Sequence, residues 1–416
     1  MTAMPHLLLQ LTVILVTARV LALVLQRFGQ PPVIGEMLAG LALGPIVFGA
    51  FAPDLHATLF PRDGLGPLEG LSELGLVLFM FIVGVELRAP AGARRQIVAA
   101  GWIGMLGVAL PMLFGFAIAP LLHARFAPDG VGQGPFALFM AASMAITAFP
   151  VLARILKDSG MTRSAIGQLA LASTAIADVL AWGVLAFVVA AIGTDGGWAG
   201  FVRTIGGLLI VAAICFGLLR PLLARVLARH ARNGRPDGAV LGLLLVLAFA
   251  MAAATQWLGL HALFGAFLFG ACLPRDDRLL ECLVERIEHV AILVLMPVFF
   301  ALAGLDTTPQ AFAGGGLALL LVLAAAILGK VLGAGAGARI GGLGWRDSAA
   351  IGSLMNARGL MELIVLKIGL DAGVIGPEMF TMLLVMAILT TLMTTPMLRL
   401  CLRGAARPAT MAETGT

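Results

Sequence analysis

Apolar runs of about 20 residues follow one another along almost the whole chain, and this pattern decides what the chain can fold into. Charged residues make up 12% of the 416 residues, whereas soluble domains carry about 25%. Because about 20 apolar residues cross a bilayer as a helix, the length allows about a dozen spans and no sizeable soluble domain. The sequence therefore predicts an all-α polytopic membrane protein and not a soluble enzyme.

Glycine, proline and charged residues divide the apolar runs into about thirteen predicted spans. Their predicted bounds are 6–28, 32–50, 71–88, 98–122, 136–156, 165–192, 201–220, 238–257, 259–274, 287–304, 314–338, 348–370 and 378–400. Of the 27 Lys and Arg residues, 20 lie on the side of the membrane where odd-numbered spans end, three lie on the opposite side, and four lie deeper inside spans. By the positive-inside rule, the N-terminus is predicted outside and the C-terminus in the cytoplasm. The first apolar run lacks a basic leader and a cleavage site, so it is predicted to be retained.

The strongly basic segment 220–235 divides the chain near its middle. Two halves of about six spans on either side of it would have opposite topologies, which is typical of inverted-repeat transporters. The predicted fifth span is interrupted at MAITAFPVLARIL, where Pro150 lacks a backbone donor. The twelfth is interrupted at GSLMNARGLMEL by Gly352, Asn356 and Gly359. Broken helices at corresponding places indicate a binding site near the bilayer midplane.

Asp178 lies in the otherwise uncharged run ASTAIADVLAWGVLAFVVA, residues 172–190. A carboxylate at that depth costs roughly 2.5–3.5 kcal/mol on insertion scales, so it is predicted to bind an ion or carry a proton. Thr174 shares a helix face with Asp178, and Ser173 is its neighbour. One carboxylate with hydroxyl and freed carbonyl oxygens is a hard-ligand site, which suits a monovalent metal ion such as Na⁺, K⁺ or Li⁺. A purely structural ion pair is the alternative.

Three further charges lie inside apolar runs. Lys330 is predicted either to pair with Asp178 when no ion is bound or to neutralise the negative end of a broken helix. Arg358 and Glu362 are spaced i, i+4 and are predicted to neutralise each other in the broken twelfth span. Lys367 is predicted to snorkel to the outer interface.

These residues resemble the monovalent cation:proton antiporter superfamily, closest to its Kef-type bacterial and CHX-type plant exchangers. The resemblance runs through nearly all the spans in order. It is carried by the following segments: PPVIGEMLAGLALGP, LGLVLFMFIVGVEL, TAFPVLARIL, ADVLAW, GLHALFGAFLFG, LMPVFFALAGL, GKVLG and MNARGLMELIVL. It implies that the ion-binding aspartate is Asp178, the core lysine is Lys330 and the threonine of the crossing is Thr147. Ala177 departs from the family, which commonly has Asp or Asn before the aspartate.

The resemblance also implies a homodimer in which a core moves against a scaffold in each protomer, and it implies that spans 5 and 12 cross in this core as broken helices. The domains implied are scaffold spans over 1–90, core spans over 91–195, a linker span and basic loop over 196–237, scaffold spans over 238–308, core spans over 309–402 and a cytoplasmic tail over 403–416. The nucleotide-binding domain of Kef-type channels is not expected in this chain.

The sequence thus predicts a bacterial inner-membrane antiporter that exchanges Na⁺ or K⁺ for a proton, with no cofactor and no nucleic-acid partner. Asp178 is predicted to carry both ions in turn, and Thr147, Ser173 and Thr174 are the predicted neutral ligands. A single carboxylate predicts electroneutral exchange. The alternatives are an exporter of an organic compound, which would need a larger apolar cavity, and a non-transporting membrane sensor.

Overall fold

The computed structural model describes most of the chain. The ranges are 4–86, 94–161, 164–192, 197–232, 235–258, 262–274, 281–313 and 315–402. Within them the protein is helical apart from its connections and one antiparallel ribbon of two-residue strands, β1 (Ala231–Arg232) and β2 (Arg235–Pro236). The predicted all-α membrane fold is therefore confirmed. The predicted tail over 403–416 lies outside the described residues.

Nine α-helices lie in the described residues of the N-terminal half. They are α1 (Met4–Arg27), α2 (Pro32–Leu43), α3 (Phe48–Phe51), α4 (Pro53–Leu59), α5 (Gly66–Glu86), α6 (Arg94–Phe126), α7 (Gln133–Ala145), α8 (Phe149–Asp158) and α9 (Ala165–Ile192). A 3₁₀ turn over Arg62–Gly64 precedes α5.

A continuous helix joins the two halves. It consists of α10 (Gly197–Ala213), a π-helical segment over Ile214–Leu219, and α11 (Arg220–His230). The basic segment that was predicted to be a loop is therefore helical as far as His230, and its Pro221, which has no N–H to donate, lies in the first turn of α11.

The C-terminal half begins with α12 (Gly238–Trp257) and α13 (Ala262–Cys272). A helix over Glu281–Leu305 follows, with π-helical segments at Val284–Glu288 and Ala291–Leu295 before α14 (Met296–Leu305). A 3₁₀ turn over Pro309–Phe312 precedes the remaining helices. These are α15 (Gly316–Ile340), α16 (Trp345–Met355), α17 (Leu360–Asp371) and α18 (Pro377–Leu402).

Ten helices in the described part of the chain are long and apolar enough to cross a membrane. The apolar helix α13 is shorter, with 11 residues, and the predicted fifth and twelfth spans are each a pair of half-helices, α7 with α8 and α16 with α17. The protein is thus a multi-pass membrane protein, and the count of thirteen spans stays a prediction.

The helices pack in two groups. The first, formed by α6–α9 and α15–α18, contains both broken pairs, and the second is formed by α1, α2, α5, α12, α13 and α14. Within the second group, α2 and α14 touch through backbone, since a Cβ added to Gly304 would lie 1.8 Å from Gly40 O. In the first group, a Cβ added to Gly333 of α15 would lie 2.4 Å from Leu106 O of α6. Small residues at such crossings allow helices to pack tightly in lipid.

Candidate ion-binding site

Two non-helical segments cross inside the first helix group. One is the stretch 146–148 between α7 and α8, and the other is 356–359 between α16 and α17. The Ala148 N–H donates to Ala357 O at 3.2 Å, so the two breaks are joined directly through their backbones. The crossing therefore brings four half-helix ends together, two with the partial positive charge of an N-terminus and two with the partial negative charge of a C-terminus.

Asp178 is on α9 beside this crossing, and only 4% of its surface is exposed. It borders a small cavity with a volume of about 10 Å³. The residues that line this cavity are Ile146, Thr147, Asp178, Ala181, Leu185, Met361 and Val365. A cavity of that size holds about one water molecule, so the site is suited to one small ion. We call it the Asp178 cavity.

The N-terminus of α8 faces Asp178. The backbone N–H of Phe149, the first residue of α8, interacts with the Asp178 carboxylate. An anionic group at a helix N-terminus is stabilised by the unpaired N–H groups and by the helix dipole. The break before α8 therefore provides electrostatic support for a charge that the membrane interior disfavours.

Lys330 of α15 is fully buried and contacts three oxygen atoms. Its ammonium group donates to Gly107 O at 3.0 Å, to Thr147 Oγ1 at 2.6 Å, and to Ala145 O, the last carbonyl of α7. Within the described residues, none of its hydrogen-bond partners is a carboxylate. Of the two readings of Lys330, neutralisation of the negative end of a broken helix is the one that these contacts favour.

Arg358 and Glu362 form an ion pair that is shielded completely from solvent. Arg358 Nη1 lies 3.0 Å from Glu362 Oε1, and both side chains are 0% exposed. The same guanidinium donates to Ser143 O at 3.2 Å and to Met144 O at 2.9 Å. Arg358 and Lys330 together therefore cover the carbonyls at the C-terminal end of α7, while Glu362 lies in the first turn of α17, at a positive helix end.

Ser173 and Thr174 are placed on α9 but not in the Asp178 cavity. Both are fully buried, and their hydroxyls donate to the carbonyls of Leu169 at 2.7 Å and Ala170 at 2.8 Å. The Thr174 hydroxyl also lies 3.1 Å from the sulfur of Met355 in α16. Of the three predicted neutral ligands, Thr147 lines the Asp178 cavity and the other two do not.

The sequence did not reveal several groups that the structure adds to the site. The most prominent are backbone groups, the Phe149 N–H and the Ala145 carbonyl, which carry no side-chain signal. Another is Thr391 of α18, whose hydroxyl accepts from the Arg358 N–H at 2.9 Å and donates to Arg358 O at 2.7 Å. The run of threonines in α18 was the available signal, and a hydroxyl is suited to satisfying the backbone of an unwound segment in lipid.

The chain matches known proteins along almost its whole length. Residues 12–403 match the family described as "Sodium/hydrogen exchanger, transmembrane". The chain is 37% identical over 392 residues to Na(+)/H(+) antiporter NhaS4 of Synechocystis sp., covering 92% of this chain and 94% of that protein.

Two eukaryotic relatives are longer than this chain. It is 36% identical to Cation/H(+) antiporter 17 of Arabidopsis thaliana and 34% identical to K(+)/H(+) antiporter 1 of Saccharomyces cerevisiae. The alignments cover 95% and 94% of this chain but only 48% and 46% of those proteins.

Among solved structures, the fold is similar to that of the sodium proton antiporter MjNhaP1 from Methanocaldococcus jannaschii at pH 8. The TM-score is 0.62 with 17% sequence identity, over 96% of this chain and 98% of that one. At this identity the similarity establishes a shared fold.

Proposed function

The chain belongs to the sodium/hydrogen exchanger family, and on that premise we propose that it exchanges a monovalent cation, Na⁺ or K⁺, for a proton across the membrane. One observation carries the proposal: a single buried carboxylate, Asp178, borders a cavity with room for about one water-sized species. The family is one of transporters, and the relatives named above are antiporters of Na⁺, K⁺ or an unspecified cation.

In the proposed cycle, Asp178 binds the cation as a carboxylate and carries the proton as a carboxylic acid. Thr147 provides a hydroxyl oxygen to the cation, because among the described residues it is the other polar side chain that lines the Asp178 cavity. Freed backbone carbonyls of the crossing complete an oxygen-rich site for a hard monovalent ion. Ser173 and Thr174 are assigned no direct contact with the ion in this cycle, since neither residue lines the Asp178 cavity.

The charges around the crossing are balanced in this mechanism. Arg358 offsets Glu362, and Lys330 offsets Asp178 without touching it. The site is therefore neutral when Asp178 is ionised, and it gains one positive charge with either the cation or the proton. Exchange of one cation for one proton moves no net charge across the membrane.

Access to the two sides is proposed to alternate by movement of the first helix group against the second. The first group carries Asp178 and both broken helices, and it corresponds to the core expected over 91–195 and 309–402. The second group corresponds to the scaffold, which we propose also forms a homodimer. We place the protein in a bacterial inner membrane with the C-terminus in the cytoplasm, because the sequence has more Lys and Arg on that side.

The Asp178 cavity also separates this function from the two alternatives. An exporter of organic compounds requires a pocket of about 300 Å³ or more, and the cavity beside Asp178 at the crossing is far smaller than that. A membrane sensor would have no need for an acid held at the N-terminus of a half-helix, next to a hydroxyl and freed carbonyls. Neither alternative is supported by this arrangement.

The test is exchange in proteoliposomes that contain a pH-sensitive dye. Addition of Na⁺, K⁺ or Li⁺ at several pH values is expected to release protons from the lumen when the protein is present. Asp178→Asn is expected to abolish the signal, whereas Asp371→Asn serves as a control, because the Asp371 side chain is 57% exposed and lies outside the Asp178 cavity. Absence of cation-dependent proton movement at every pH and with every ion would contradict the proposed function.

A further inference from the structure

Lys367, near the end of α17, contacts two carboxylates at once. Its Nζ lies 2.7 Å from Asp306 Oδ2 and 3.0 Å from Asp371 Oδ1. Asp371 belongs to the same helix, four residues further on. Asp306 follows α14 directly and belongs to the other helix group. Lys367 thus makes one ion pair within its own helix, with Asp371, and another across the boundary between the two helix groups, with Asp306.

This ion pair lies in a crevice between the groups. The crevice has a volume of about 380 Å³. Lys367 and Asp371 of α17 form one wall, and residues of α5 and α14, including Glu69, Glu73 and Phe299, form the other. The side chains of Lys367 and Asp306 are 34% and 35% exposed, so water reaches the pair through this crevice. A relative movement of the two groups would open or close it.

The same helix lines the ion-binding cavity. Met361 and Val365 of α17 border the Asp178 cavity, and Lys367 follows Val365 by two residues. Because α17 is a regular helix of 12 residues, a displacement that changes the walls of the Asp178 cavity also displaces Lys367 relative to α14. An ion pair at 2.7 Å tolerates a separation of only about 1 Å more before its contact is lost.

We propose that the Lys367–Asp306 ion pair is a latch between the two helix groups, closed in this conformation and broken when the Asp178 cavity opens. The pair from Lys367 to Asp371 moves with α17 and has no latching role. The effect of the latch on transport rests on the proposed function. The opening and closing of the ion pair does not, because it can be measured without transport. For a partly exposed pair, removing the latch is expected to change the ratio of open to closed conformations about two- to fivefold.

The first test measures opening without transport, in detergent. The background for this test has all four native cysteines replaced by serine: Cys215, Cys272, Cys282 and Cys401. In that background, Leu185→Cys places a thiol on the wall of the Asp178 cavity. The Leu185 side chain is buried in this conformation, with 1% of its surface exposed. Adding Asp306→Asn is expected to raise the rate at which this thiol reacts with a water-soluble thiol reagent about two- to fivefold. Adding Asp371→Asn is expected to leave the rate unchanged. Equal rates in the two variants would overturn the latch.

The second test is a reversible cross-link. Lys367→Cys combined with Asp306→Cys is joined by a short, reducible bifunctional thiol reagent in proteoliposomes, and Lys367→Cys with Asp371→Cys is treated in the same way. The first cross-link is expected to stop exchange, which reduction restores, and the second to leave exchange intact. Continued exchange with the first pair fully cross-linked, as measured by mass spectrometry, would also overturn the latch.

The two tests separate the latch from the proposed function. If untreated protein shows no exchange, the proposed function fails, while the Leu185→Cys rates still decide whether the latch exists.

Discussion

Lys330 donates a hydrogen bond to Thr147 at 2.6 Å, and this contact ties α15 to the break between α7 and α8. The same threonine lines the Asp178 cavity. The Lys330 ammonium group, which supports the broken helix, is therefore in direct contact with the Thr147 hydroxyl, which is proposed to bind the transported ion. Structural support and ion binding share one side chain, and this coupling gives Thr147 a measurable double effect.

Thr147→Val is expected to affect both stability and ion affinity. The substitution keeps the shape of the side chain and removes the oxygen that accepts from Lys330, and a hydrogen bond to a charged group contributes about 1.5–3 kcal/mol. Of the described residues on the cavity wall, the substitution leaves Asp178 alone with a polar side chain. We expect a lower melting temperature in detergent and a weaker apparent cation affinity in proteoliposomes. Thr147→Ser, which keeps the hydroxyl, is the matched control, and full affinity in the valine variant would contradict the assigned role.

Asp178→Asn is expected to abolish exchange without unfolding the protein. Asparagine keeps the size of the side chain but carries neither a proton nor the charge that attracts a cation. Because a buried charge is costly, the neutral variant is expected to melt at the same temperature as the wild type or above it. Exchange and thermal melting are measured on the same purified, monodisperse sample. Wild-type exchange rates in that sample would exclude Asp178 as the ion carrier.

Arg358→Ala is expected to destabilise the protein more than Glu362→Gln does. Loss of the guanidinium leaves Glu362 without its ion-pair partner and also uncovers Ser143 O and Met144 O at the end of α7. Removal of one partner from a buried ion pair costs about 3–5 kcal/mol. Glutamine at position 362 still offers an oxygen to Arg358, so the loss there is smaller.

Thermal melting of both variants, together with their apparent cation affinities, tests this assignment. If Arg358→Ala melts normally and shifts only the cation affinity, Arg358 acts on the transported ion and not on the crossing.

The sequence predicted features that depend on neighbours along the chain. The i, i+4 spacing of Arg358 and Glu362 and the interruptions near Pro150 and Gly359 are local, and the structure contains both the ion pair and the two breaks. Such patterns are readable because helical geometry fixes which residues share a face.

Features that depend on how separate elements meet were not predictable in the same way. Thr174 shares a face with Asp178, yet its hydroxyl points to Met355 of α16. Lys330 donates to the backbone carbonyls of Gly107 and Ala145, and the identity of a residue does not indicate that its carbonyl will accept such a bond. Lys367 was expected to reach the interface, but its partner Asp306 is 61 residues away in sequence. In each case the tertiary packing, and not the spacing, selects the contact.

Exchange is expected to be electroneutral, with one cation for one proton. Two protons per cation would require a second titrating group at the site. Ala177, next to Asp178, has no such group, and Glu362 is engaged by Arg358. Lys330 is the remaining candidate, but its ammonium group donates to Gly107 O, Ala145 O and Thr147 Oγ1. These oxygens are acceptors, so release of the proton by Lys330 would weaken the contacts that cover the end of α7.

The measurement is Na⁺ or Li⁺ exchange in K⁺-free proteoliposomes under a membrane potential imposed with a gradient of a permeant anion such as thiocyanate, and Asp178→Asn proteoliposomes report the leak. For a one-for-one cycle, the initial rate and the final cation gradient are expected to be the same at zero, positive and negative potential. Movement of one net charge per cycle would instead add about 2.3 kcal/mol per 100 mV to the driving force, which would shift the final gradient by more than an order of magnitude. A final gradient that follows the potential in this way would refute the one-for-one stoichiometry and identify Lys330 as a second proton carrier.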